Sequence, residues 1–190
     1  MKLRLAIAFV FAAALTRLLP HPDNFTPIGA MALFGAAYFN RQALTLAIPF
    51  VALFVSDLIL NNVVYRQYYP EFTLITSWWI YAAFGLVMLS GRLLLRTSVT
   101  PGRVVAAALV SSLLFFLVTN FSVWAETTMY PKSFNGLLAC YTAGLPFLKN
   151  TIMGDLFFSA VLFGTYEFVT RHSSFVIASL RHLDKDDKQE

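Results

Sequence analysis

Residues 43–61 read ALTLAIPFVALFVSDLILN, nineteen residues with a single charge, Asp57. A helix needs ~20 predominantly apolar residues to cross the hydrocarbon core of a bilayer. This stretch meets that length, so it is read as a membrane span, and Asp57 becomes an ionisable group held at membrane depth. Both conclusions extend outward from it. Of the 190 residues, 58% are hydrophobic, 13% are charged and nineteen are phenylalanine, a membrane composition.

Comparable apolar windows fall at 3–19, 26–39, 73–95, 104–125 and 150–170. Together they predict one transmembrane domain over 1–190, an all-α integral membrane protein with a six-helix bundle and a short tail, 171–190. The window at 26–39 is short and is expected to be tilted or packed inside the bundle. A further apolar stretch, 134–148, contains Gly136, Gly144 and Pro146, which predicts a re-entrant or interfacial helix before the last span. Residues 1–20 have the layout of a secretory signal, with Lys2 and Arg4 ahead of an apolar run that ends in small residues. The chain starts at Met1, so the segment is expected to be kept as the first span.

Orientation follows from Lys and Arg, which favour the cytoplasmic side. With both termini inside, the inner set is Lys2, Arg4, Arg41, Arg92, Arg96, Arg103, Arg171, Arg181, Lys185 and Lys188, against Arg17, Arg66, Lys132 and Lys149 outside. The net charge of +4 is therefore read as membrane-flanking charge. Nucleic acid is not expected as a partner, because no basic stripe is interleaved with exposed aromatics. The inner loops are brief and basic. The outer ones are longer: PHPDN at 20–24, 61–72 with three tyrosines, and 126–150. Their aromatics suit either an interfacial belt or a lidded outward pocket; Trp78, Trp79 and Tyr81 fit both readings.

Polar side chains at membrane depth are costly, face the bundle interior and mark functional paths. Asp57 and Asn61 lie four apart on one helical face, as do Asn120 and Trp124. Asn150 suits a helix N-cap for the last span, with Asp155 a turn and a half deeper. These residues either bind a solute or hydrogen-bond across helices and hold the bundle together. Asn24, Asp57, Asn61, Trp78, Asn120, Trp124, Tyr130, Asn150 and Asp155 form the candidate substrate-binding set. In the opening loop, Thr26-Pro27 is a conventional helix start, so part of that motif serves simply to begin the second helix. His21 is read as a loop or interfacial histidine and Cys140 as apolar packing, each with a weaker alternative as a metal ligand. A single cysteine excludes an internal disulfide and a multi-cysteine metal cluster. No cofactor is expected.

Catalytic patterns are poorly represented. The stretch IMGD, 152–155, offers one aspartate with one glycine and no second motif of the kind a paired-aspartate protease needs. The three histidines lie near membrane edges, away from any glycine-framed serine. No glycine-rich phosphate loop is present, so energy for any transport must come from a partner or a gradient.

The stretches NFTPIGAMALFGAAYF (24–39), FVSDLIL (54–60), TNFSVW (119–124), YPKSFNGLLACYTAGLPFLKN (130–150) and GDLFFSAVLFG (154–164) resemble an uncharacterised bacterial membrane family described as transport proteins. In layout the chain also resembles the substrate-binding S components of energy-coupling factor (ECF) vitamin transporters, with about 190 residues, six helices and a solute pocket near the outer face closed by loops. That likeness implies a transmembrane coupling subunit with cytoplasmic ATPases as partners. It also implies that Ala8 and Ala12, an AxxxA pair on the first helix, are coupling contacts, since small residues four apart let helices approach closely. Packing within the bundle explains the same pair.

The leading expectation is thus a non-enzymatic binding and transport subunit of the bacterial cytoplasmic membrane, taking up a flat, polar-edged organic solute such as a vitamin or its precursor. An assembly protein whose polar groups join helices is a second reading. A membrane enzyme using Asp57 or Asp155 as a base is a third.

Overall fold

A computed structural model describes residues 2–39, 42–69 and 71–186. Six α-helices follow in order: α1 Lys2–Thr16, α2 Ile28–Tyr38, α3 Gln42–Ile59, α4 Trp78–Leu95, α5 Pro101–Glu126 and α6 Phe134–Asp186. A π-helical turn, Leu60–Val64, extends α3. There is no strand among the described residues. Arg41 and Lys188, which the charge pattern assigns to the cytoplasmic side, lie outside the described residues.

Local signals set the starts of two helices. Ser77 and Thr100 have extended backbones, and their hydroxyls accept from the N–H groups of Trp79 (3.3 Å) and Arg103 (3.4 Å), capping α4 and α5. Pro101 stands at the first position of α5, where its missing N–H costs nothing. The second helix departs from this pattern. It begins at Ile28, Pro27 occupies the cap position, and no side chain of its own loop caps it.

Four helical stretches are long and apolar enough to cross a membrane: Ala43–Val64, Trp78–Leu95, Pro101–Glu126 and Phe134–Arg171. The windows expected as the first two spans yield shorter helices. α1 has 15 residues, and α2 has 11, about 16 Å at 1.5 Å per residue.

α2 is short because it is the axis of the bundle. Every residue from Ile28 to Ala36 is buried, and α1, α3, α4, α5 and α6 all pack on it. Apolar burial against protein instead of lipid gains little from the hydrophobic effect, so close backbone approach and dispersion must hold such a centre. Small residues provide that approach. A methyl at Gly91 of α4 would fall 3.1 Å from Ala36 Cβ, and one at Gly35 would fall 2.5 Å from Pro49 Cγ of α3. Phe34 anchors the lower half of the core, its ring 4.7–6.2 Å from those of Phe9, Tyr38, Phe163 and Tyr166.

α6 overturns two expectations. The segment 134–148 is neither re-entrant nor separate: it is the start of one helix of 53 residues that carries on past 171 to Asp186. Pro146 lies inside it, which costs one backbone hydrogen bond but does not end the helix. Gly144 and Gly154 are contact points instead of breaks, while Gly164 faces open space. A methyl at Gly144 would meet the Asn120 side chain at 2.3 Å, and one at Gly154 would meet the backbone of Phe25 and Thr26 at 3.0–3.2 Å. Asn150 therefore lies in the middle of a helix and cannot be its N-cap.

Candidate functional site

The loops at 17–27, 65–77 and 127–133 gather at one end of the bundle and roof two adjoining cavities, of about 360 and 490 Å³. Asn24, Ile80, Phe115 and Phe147 line both. Three further features shape the first cavity.

The first is Arg17, just beyond α1. It is 8% exposed and pairs with Asp57 at 2.7 Å (Nη2 to Oδ1). Its Nη1 donates to Ser56 Oγ and, at 3.4 Å, to the Leu53 carbonyl. Tyr81 completes the group by donating to Asp57 Oδ2 at 2.9 Å. Arg17 lines the cavity, while Asp57 stands behind it as counter-ion. The Arg17 Nε is buried and has no hydrogen-bond partner.

The second is the start of α2. Asp155, 2% exposed, reaches across from α6. Its carboxylate lies against Gly29 in the first turn of α2 and, at Oδ2, accepts from Ser112 Oγ at 2.8 Å. Standing there, it caps α2 electrostatically from another helix, at the positive end of the helix dipole. Gly29 is required for this. A methyl there would lie 2.3 Å from both Asp155 Oδ1 and Ser111 Oγ.

The third is the π turn that ends α3. Leu60 and Tyr65 both line the first cavity, and the Tyr65 N–H bonds the Leu60 carbonyl at 2.7 Å. In an α-helix residues five apart diverge by about 140°. The wider turn brings them to one side, a device common at functional sites.

The loop over this end is held at defined points. Asn24 has a left-handed backbone (φ 60°), which asparagine tolerates better than most residues. Asn150 Nδ2 donates to the Asp23 carbonyl at 2.9 Å, tying the loop to α6. Asn62 exchanges hydrogen bonds with the backbone of Thr73, both at 2.9 Å, and closes the 65–77 loop.

The expected residues thus separate into groups. Asn24 and Asp155 line the first cavity. Asn24, Asn120, Tyr130 and Cys140 line the second, where Cys140 Sγ donates to the Asn120 carbonyl at 3.3 Å. Asn120 Nδ2 itself turns back to the Phe116 carbonyl at 2.9 Å. Asn61 is buried but outside both linings, with its amide nitrogen unpartnered. Trp78 is 73% exposed. Trp124 also lies off the walls: its indole N–H donates to the Pro131 carbonyl at 2.9 Å, and Lys132 sits 5.6 Å over its ring. It is a clasp for the 127–133 loop.

His21 lines the first cavity with Nδ1 3.0 Å from the Pro22 carbonyl. Among the described residues no three His, Cys, Asp or Glu side chains gather as a metal site would need. Ala8 and Ala12 lie on the exposed face of α1, opposite buried Ala6, Val10 and Ala13.

Sequence reading missed Arg17, Phe115, Phe147, Thr151 and the serine pair 111–112. Arg17 had a usable signal: a buried aspartate at membrane depth requires a partner. The phenylalanines had none, because nothing distinguishes them among nineteen.

Compared with known proteins, the chain matches the family of unknown function DUF6580 over residues 1–179. No curated protein and no solved structure matches it.

Proposed function

The chain belongs to the family DUF6580, and we propose that it is a membrane subunit that binds a small organic solute at the loop end of its bundle and takes part in its uptake. The observation that carries this reading is the pair of adjoining cavities with an under-bonded arginine in the wall. Their combined size suits a small organic molecule. The walls are largely apolar and aromatic, with a few polar groups placed by other helices, as ligand pockets are. In this reading the positive-inside pattern puts the cavities on the outer face of a bacterial cytoplasmic membrane, both termini inside, with α1 and α2 completing a six-helix bundle within the bilayer.

Binding is favoured over catalysis by how the two carboxylates are used. Asp57 is committed to Arg17 and Tyr81, and Asp155 to the start of α2. The exposed Ala8–Ala12 face of α1 leaves a close-packing surface for the coupling subunit that the S-component likeness implies.

The test is native mass spectrometry of gently purified protein beside Ile80→Trp, which fills the wall shared by both cavities. A defined small-molecule mass retained by the parent and lost by the variant, with thermal stability unchanged, is the expected result. If neither carries such a mass and no added solute raises the melting temperature, the assembly-protein reading takes its place.

A further inference from the structure

We propose, on the basis of the solute-binding reading above, that the solute is uncharged and presents an amide or lactam edge, a carbonyl acceptor beside an N–H donor, on a flat ring. Arginine has five N–H groups. Those of Arg17 serve the Leu53 carbonyl, Ser56 and Asp57, and the Nε–H is buried without an acceptor. Three of the five N–H groups are thus served, and Arg17 lines the cavity, so a carbonyl oxygen delivered against its guanidinium is stabilised there.

A full anion is not. The positive charge of Arg17 is already matched by Asp57 at 2.7 Å. No other lysine or arginine lines either cavity, while Asp23 and Asp155 add carboxyl groups to the first. An entering carboxylate would lose its hydration and meet no unmatched lysine or arginine, His21 being the one further basic side chain in the lining, a costly combination. Donors on the solute are better served. Thr151 Oγ1, whose proton goes to the Phe147 carbonyl at 2.8 Å, keeps lone pairs free to accept. Flatness follows from Phe115 and Phe147, two aromatic side chains that line both cavities and against which a flat ring packs.

The test uses isosteric pairs that differ only in charge, nicotinamide against nicotinate and benzamide against benzoate, titrated into the full-length protein in detergent and followed by thermal shift and native mass spectrometry. The amide of each pair should bind at least about tenfold more tightly, and Ile80→Trp should abolish the protection. Asp23→Asn, an exposed change at the cavity mouth that leaves folding intact, should narrow the gap. A carboxylate that binds as tightly as its amide, or a copurified solute released as an anion, overturns the charge assignment and leaves solute binding standing. Silence from every probe, with no copurified molecule, overturns both.

Discussion

Arg17 and Asp57 show how much of this site depends on one pairing. Removing one member of a buried ion pair leaves the other charge uncompensated and costs about 3–5 kcal/mol. Arg17→Met should therefore lower stability strongly, by that order, in equilibrium unfolding in detergent. Adding Asp57→Asn should restore most of the loss, since the pair as a whole contributes far less than half of it left alone. A single variant as stable as the parent would mean that water reaches Asp57. Half of this pair was legible in the sequence, because a lone aspartate inside an apolar run stands out. Arg17 was not, because an arginine at the end of an apolar run is ordinary at an interface, and its partner lies on a helix whose placement no spacing reveals. The same holds for Asp155. Its depth could be read, but its role as the cap of α2 depends on a contact between segments more than a hundred residues apart.

Among the elements, α3, α4 and α5 were read from apolar length alone, and they stand close to the expected windows. The short window at 26–39 does pack inside the bundle, as α2, and the misreading falls on α6. Glycine and proline were taken as punctuation, whereas in a tightly packed bundle they also mark where two backbones touch. Gly144 and Gly154 lie against neighbours, and α6 passes through Pro146 without ending. Spin labels at Leu138 and Met153, both more than half exposed on α6, should lie about 22 Å apart along the axis, from 1.5 Å per residue. Pulsed dipolar spectroscopy should return one narrow distance distribution near that value. A markedly shorter or split distribution would restore the re-entrant segment and its break.

For the whole molecule, the two ends are chemically unlike. One carries the two adjoining cavities under their loops; the other carries Thr97–Pro101, Arg103 and the Glu167–Arg171 pair, about a separate cavity of some 490 Å³. In a Cys140→Ser background, a cysteine at Thr128 should react with an impermeant maleimide on intact cells, and one at Thr97 only after permeabilisation. The opposite pattern would turn the proposed uptake direction around. The long α6 adds a mechanical consequence. Gly154 rests against the Phe25–Thr26 backbone, and from there to Asp186 the helix runs about 48 Å at 1.5 Å per residue. With that contact as a fulcrum, a swing of only about 10°, set by whatever fills the space beside Phe147, carries the far tip sideways by roughly 8 Å on the same helix geometry. Under the proposed binding of a solute, the helix would act as a lever, turning occupancy beside Phe147 into a displacement at its far tip.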